Sequence, residues 1–281
     1  MALDCQERSP YAKVECGGEF NEFSLEIKQS GKIVTCKINS LSNEQQSTPE
    51  FMKPSRFYFN NDIAVIDLRN FSSPDFTHFV DSAFTQIANK GTHSLIIDLR
   101  YNGGGEATLA DSLISYLTTK EYRSMQSDLI KISSVTKDYI MGLQEMKLGE
   151  RKGDYYIWNG VPVKPATRIN SFNGSLYVLT SYMTYSTGGF FANVVKCYRL
   201  GTIIGSETGQ PMIAYGDTYT YILPNTNLPC GIAKQKFAFC CAKKEGQGVV
   251  PDFKVEHNLN DKLKGIDTEM EFTLKMIKDK K

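Results

Sequence analysis

The chain has 281 residues and a formal net charge of +1, so it lacks the basic footprint of a nucleic-acid-binding domain. Its hydrophobic share of 41% and charged share of 22% are those of an ordinary globular protein with room for one large domain or two small ones. No apolar run is long enough to span a bilayer. The N-terminus carries Asp4 and no apolar stretch of signal-peptide type. A cytoplasmic location is therefore expected for the chain as given, and an extracytoplasmic one if it is a piece of a longer secreted protein.

Residues 1–20 read as polar and irregular. Gly17-Gly18-Glu19-Phe20 spells the name of a signalling-enzyme motif, but nothing around it fits that motif. Residues 23–39, FSLEIKQSGKIVTCKIN, alternate about Ser30-Gly31 and predict a hairpin. Residues 41–54 are polar and read as a linker. The apolar run Ile63-Ala64-Val65-Ile66 predicts a strand. Residues 76–88 come next, with Phe76, Phe79, Val80, Ala83, Phe84 and Ile87 on one helical face, stopped by Gly91.

The stretch SLIIDLRYNGGGEATLADSLISYL, residues 94–117, is the one around which the rest of the chain is organised. Leu95-Ile96-Ile97 predicts a buried strand, and Gly103, Gly104 and Gly105 a turn. Leu109, Leu113, Ile114 and Leu117 recur at helical spacing. Strand, helix, strand, turn and helix imply parallel strands with right-handed crossovers. A glycine turn entering a helix either makes a tight bend and no more, or leaves N–H groups free to hold a phosphate or an oxyanion. The two strands end alike, in IDLRN and IDLRY, which reads as a coincidence of strand ends.

Residues 120–173 are polar, with a helix expected over 138–148 and a Gly/Pro-rich stretch after it. They read as an insertion or a lid. Leu176-Tyr177-Val178-Leu179-Thr180 is the next strand, Thr184 to Gly189 a small-residue turn, and residues 190–197 a helix. Residues 201–205 give a short strand. From Tyr215 the pattern alternates through a turn at Pro224 to Asn227 and on to Phe239, and a helix is expected over 261–276. The two strand–turn–helix units would place their turns across one crevice.

The seven cysteines are odd in number and form no C-x-x-C pair. Reduced thiols, some of them buried, are expected, with neither a metal site nor a cofactor. Ser186 lies between a strand and a helix, where it is either a presented nucleophile or an N-cap serine. Gly104 and Gly105 would offer opposing donors. A nucleophile with two backbone donors is the minimum for acyl transfer.

Several motifs in order carry a family resemblance: LIIDLRYNGGG, LYVLTSYMTYST, TIIGSETGQ, GDTYTYILPNTNL and GVVPDFKV. Over residues 58–257 the chain resembles the S41 peptidases, the C-terminal (tail-specific) processing proteases, on a ClpP/crotonase-like core. The resemblance implies an α/β fold of strand–turn–helix units with added β-hairpins. With the hairpin region and linker read from the pattern of residues 1–54, it implies a peptidase-like core over 55–281. It also implies a serine-type peptidase acting on extended or C-terminal segments of peptides or unfolded proteins. Ser186 becomes the nucleophile, and the N–H groups of Thr187 and of Gly104 or Gly105 the oxyanion hole.

The pattern also departs from the family. Many members carry a lysine about two dozen residues after the serine, where this chain has Gln210, and glutamine is not a base. Other members use a histidine upstream of the core, and His78, His93 and His257 match no such motif. Lys196, on the serine's own helix, does not match either. Glu207 and Glu245 are candidate orienting acids. A catalytically impaired homologue that binds extended peptides is the alternative. A crotonase-type acyl-thioester enzyme is disfavoured by the T-x-S turn and the PDF ending.

Overall fold

The structure is a computed structural model that describes residues 12–16, 22–29, 32–39, 53–72, 74–256, 261 and 263–280. The chain divides into two compact units, Met1–Pro49 and Glu50–Lys281. In the first unit β1 (Ala12–Cys16), β2 (Glu22–Gln29) and β3 (Lys32–Asn39) form an antiparallel sheet in the order β1-β2-β3. The expected hairpin is β2–β3, whereas β1 falls in a segment whose sequence reads as irregular. The GGEF string, most of the 41–54 linker and His257 lie outside the described residues.

The second unit runs β4 (Arg56–Asn60), β5 (Ile63–Asp67), α1 (Phe76–Lys90), β6 (Ser94–Asp98) and α2 (Ala107–Ile114). It continues with β7 (Met125–Lys131), α3 (Lys137–Glu145), β8 (Glu150–Lys152) and β9 (Tyr155–Trp158). Then come β10 (Ser175–Thr180), α4 (Thr187–Cys197), β11 (Thr202–Gly205), β12 (Ile213–Ile222), β13 (Pro229–Phe239), β14 (Phe253–Lys254) and α5 (Thr268–Asp279). One sheet has the order β14-β11-β10-β6-β5-β4 and is parallel apart from β4. The other is antiparallel, in the order β12-β13-β7-β9-β8. None of the described helices is long and apolar enough to cross a membrane.

The parallel strands read as continuous apolar runs because both faces are covered. Ala64, Ile66, Leu95, Ile97, Leu176 and Val178 face a core shared with Phe76, Val80 and Phe84 of α1, Leu113 of α2 and Phe191 and Val194 of α4. The alternate residues Val65, Ile96, Tyr177 and Leu179 face Met270, Leu274 and Ile277 of α5. Each fully buried aliphatic side chain stabilises the fold by about 1.5–3 kcal/mol. Ile96 and Ile97 are both fully buried, so truncating either would open a cavity at the strand that leads into the glycine turn.

The two IDLR strand ends lie side by side, with Asp67 opposite Asp98 in parallel register. Arg69 pairs with Asp67 at 2.6 Å and lies over the Tyr101 ring. Arg100 pairs with Asp98 at 2.7 Å, and with Asp267 and Glu269 at the start of α5. This charged layer fixes the strand ends just before the glycine turn. It also sets where the last helix begins. The sequence pattern starts that helix at 261, but the Asp267 carboxylate caps the N–H of Met270 at 3.1 Å while paired with Arg100. The helix therefore opens at Thr268.

Residues 120–173 hold more than the expected helix. They supply β7, β8 and β9, and β7 pairs with β13. The sequence does not announce these strands because β7 (MQSDLIK) and β8 (ERK) are polar and short. The expectation of reduced thiols needs a correction. Cys197 and Cys241 form a disulfide with their Cα atoms 5.8 Å apart, while Cys240 is a buried free thiol. The odd count excluded a complete framework, but tertiary proximity made one bridge.

Candidate active site

The site is built where two turns meet at the ends of β6 and β10. Asn102, fully buried, is the tie between them. Its side-chain amide donates to the carbonyl of Leu68 at 2.9 Å, and its Oδ1 accepts the N–H of Gly104 at 2.9 Å. Its carbonyl accepts the N–H of Tyr185 at 2.9 Å. The second turn is held to the first by Thr184 Oγ1, which donates to the carbonyl of Leu99 at 2.8 Å, and by Ser181 Oγ, which donates to the carbonyl of Arg100. Sequence reasoning passed over Asn102, although its place between DLR and the glycines was the available signal.

Gly104 and Gly105 have φ of +106° and +140°. A Cβ on Gly104 would lie 2.5 Å from Ser186 Cβ and 2.9 Å from the nitrogen of Thr187. A Cβ on Gly105 would lie 2.3 Å from the carbonyl oxygen of Phe71. Both positions therefore exclude a side chain by conformation and by contact. Gly103 meets nothing within 4 Å, so its glycine is not required by space.

Ser186 has φ 49° and ψ −122°, a sparsely populated conformation for a residue with a Cβ. It stands at the N-cap position of α4, yet its hydroxyl makes no capping hydrogen bond. That leaves Oγ exposed above the turn, beside a helix N-terminus whose dipole favours negative charge. Among the described residues neither the N–H of Thr187 nor that of Gly105 donates a hydrogen bond, whereas the N–H of Gly104 is held by Asn102. Gly105 makes a parallel bridge to Phe71 and turns its carbonyl to Thr187 Oγ1 at 2.5 Å. The carbonyl of Gly104 accepts the N–H of Phe71 at 2.8 Å, and across the planar trans peptide the N–H of Gly105 points the opposite way. The free N–H of Gly105 therefore faces away from Phe71.

Ser186, Thr187, Gly104 and Gly105 are thus brought together, and a cavity of about 200 Å³ opens beside Ser186 and Thr187. The remaining candidates lie elsewhere. Glu207 accepts the N–H of Gly248 at 2.7 Å. Glu245 is exposed and pairs with Lys236 at 2.6 Å. Lys196 pairs with Asp252 near the far end of α4. His78 and His93 are exposed, and neither lines the cavity. Gln210 is buried at the site: its Oε1 accepts the N–H of Ser186 at 3.0 Å and its Nε2 donates to the carbonyl of Pro211 at 2.9 Å. The titratable side chain lining the cavity among the described residues is Asp111, which no sequence motif singled out.

A model of peptidase family S41 matches residues 62–255. Among solved structures, a candidate peptidase from Parabacteroides merdae ATCC 43184 is 22% identical, with a TM-score of 0.58 over 79% of this chain and 63% of that chain. The photosystem II D1 C-terminal processing protease is 15% identical, with a TM-score of 0.53 over 84% of this chain and 56% of that one. Mature CPAF complexed with lactacystin is 15% identical, with a TM-score of 0.57 over 86% of this chain and 64% of that one. At these identities the shared property is the fold, a ClpP/crotonase-like α/β core with parallel and antiparallel sheets, as the sequence resemblance implied. The chain spans less than two thirds of the length of each of these three structures.

Proposed function

Because the chain belongs to peptidase family S41, we propose that it carries a serine-type peptidase site, with Ser186 as nucleophile. Its Oγ would add to a peptide carbonyl. The N–H groups of Thr187 and Gly105 would receive the developing oxyanion; the peptide C–N bond would then break, the amine leaving with the proton of the serine hydroxyl, and water would cleave the acyl-enzyme ester to the acid and free Ser186. The observation that carries this reading is the closeness of Gly104 to Ser186, where a Cβ would lie 2.5 Å from the serine Cβ. It sets a strained, uncapped serine against backbone donors that have no other partner among the described residues. The substrate class is an extended or C-terminal segment of a peptide or unfolded protein.

Gln210 favours a second reading, a catalytically impaired homologue that holds peptides. It stands where the resemblance places a lysine, and its acceptor is spent on the backbone of Ser186. Assistance by a general base contributes about 10²–10⁴-fold. The isolated chain should therefore hydrolyse casein slowly or not at all, and robust hydrolysis lost in Ser186→Ala would reveal a base within the chain. The nucleophile is tested separately with a fluorophosphonate probe. Labelling that disappears in Ser186→Ala supports the reading, and equal labelling of both proteins overturns it.

A further inference from the structure

The cavity beside Ser186 has apolar walls from Ala107, Met125, Phe190, Phe237 and Phe239. Ser124, Ser186, Thr187, Gln210 and Gln235 add uncharged polar groups, and Asp111 is the charged residue of the lining. It sits on α2 one turn beyond Ala107, about 6 Å further along the helix axis from the glycine turn. Its Oδ1 accepts the hydroxyl of Tyr122, which is buried and fixed by paired backbone hydrogen bonds with Val163. Among the described residues it makes no ion pair, and Oδ2 accepts no hydrogen bond. Burial raises its pKa above the ordinary carboxylate value, and the Tyr122 hydrogen bond works against that rise. A carboxylate in such a place is held in position by Tyr122 but lacks a counter-charge, and a partly buried charge without a counter-charge is unfavourable.

Resting on the reading of Ser186 as the nucleophile, we propose that Asp111 is a specificity-determining residue that selects a lysine or arginine side chain at the acyl position of the peptide. A lysine or arginine would lay its methylene stem along the phenylalanine and methionine side chains and bring its cation to Asp111. The same pocket would reject a glutamate, which would face Asp111 as a like charge. Charge-assisted hydrogen bonds to carboxylates are about twice as strong as neutral ones. The preference for lysine over an uncharged side chain of similar length should therefore be about tenfold or more.

The test uses peptidyl diphenyl phosphonates that differ at one position, carrying the side chain of lysine, norleucine or glutamate next to phosphorus. Ser186 Oγ forms the bond to phosphorus, and phenoxide leaves and takes up the hydroxyl proton as phenol. Labelling is followed by intact mass. The lysine probe should label the protein about tenfold faster than the norleucine probe, with the glutamate probe slowest. In Asp111→Asn, which keeps an acceptor for Tyr122, the lysine-to-norleucine ratio should fall to within about threefold. Equal rates in the wild type, or an unchanged ratio in Asp111→Asn, would overturn the assignment of Asp111 while leaving Ser186 as nucleophile. If no probe labels the protein, the nucleophile reading fails. The Asp111 proposal is then decided by calorimetry of the matching acetylated peptides on Ser186→Ala. A lysine preference lost in Ser186→Ala/Asp111→Asn supports it, and no preference overturns it.

Discussion

Gln210 holds Ser186 by its backbone: Oε1 accepts the serine N–H at 3.0 Å, across 24 positions of sequence. Ser186 is itself at φ 49°, and among the described residues its N–H has no other acceptor. A side chain in the place of a base thus serves to fix the conformation of the serine it would be expected to activate.

Gln210→Ala should therefore destabilise the protein by about 0.5–1.5 kcal/mol, the net worth of a part-buried hydrogen bond. It should also slow fluorophosphonate labelling of Ser186. Gln210→Glu keeps the acceptor and should retain most of the stability. Gln210→Lys loses the acceptor and gains an amine, so it should be less stable than the wild type even if it labels faster. Urea unfolding and labelling rates, measured on the same preparations, separate the two effects. A fully stable Gln210→Ala would show that the hydrogen bond is dispensable.

The glycine turn gives an internal control. Gly104→Ala and Gly105→Ala force a Cβ against Ser186 and against the Phe71 carbonyl, at positive φ in both cases. Each should cost about 1–3 kcal/mol in strain alone and reduce labelling by at least about 10²-fold. Gly103→Ala, in open space, should stay within about 0.5 kcal/mol of the wild type. Thermal unfolding with labelling checks all three, and a silent Gly104→Ala would contradict the close approach.

The Cys197–Cys241 bridge closes a loop with a sequence separation of 44. Loop-closure entropy assigns such a bridge about 4 kcal/mol, with measured values commonly about 2–4. A dithiol reductant or Cys197→Ser should lower the melting temperature by several degrees. The bridge ties the end of the helix that begins after Ser186 to the chain just beyond β13, so labelling of Ser186 should slow as well. An unchanged melting curve after reduction would show that the bridge adds nothing to stability.

Asp128 on β7 is 1% exposed and accepts the indole N–H of Trp158 at 3.1 Å. Burial pushes its pKa from the ordinary 3.8 up to about 6; the Trp158 hydrogen bond opposes that rise and Asp217 adds to it. The folded state therefore holds this proton more tightly than the unfolded chain. The sign is that stability falls as pH rises from about 4 through about 6, by at most about 3 kcal/mol. Asp128→Asn, which keeps an acceptor for Trp158, should flatten the profile in that window and raise stability at pH 7. Urea unfolding between pH 4 and 8 is the measurement, and parallel profiles for the two proteins would refute it.

Local signals carried much of the architecture. Runs such as LIID and LYVLT are apolar at consecutive positions because a parallel sheet is covered on both faces, so β6 and β10 were legible. The face of Phe76, Val80, Ala83, Phe84 and Ile87 gave α1. The polar strands β7 and β8 were not legible, because they owe their conformation to partners such as Tyr156 and Phe237 rather than to their own pattern.

The sequence by itself determined the strand–turn–helix units, the glycine turn and the serine turn, because each is written in contiguous residues whose spacing and backbone freedom act locally. Only the tertiary structure decided which donors stay free, what Gln210 holds, where Asp111 points its charge and which cysteines meet. These depend on pairs such as Thr187 with Gly105, 82 positions apart, and Cys197 with Cys241, 44 apart. A hydrogen bond or a desolvated charge is a relation between groups at a distance of a few ångströms, and chain order does not encode that distance. The core packing that sets it comes from burying the apolar faces, and the polar groups of the site are placed where that packing brings them together.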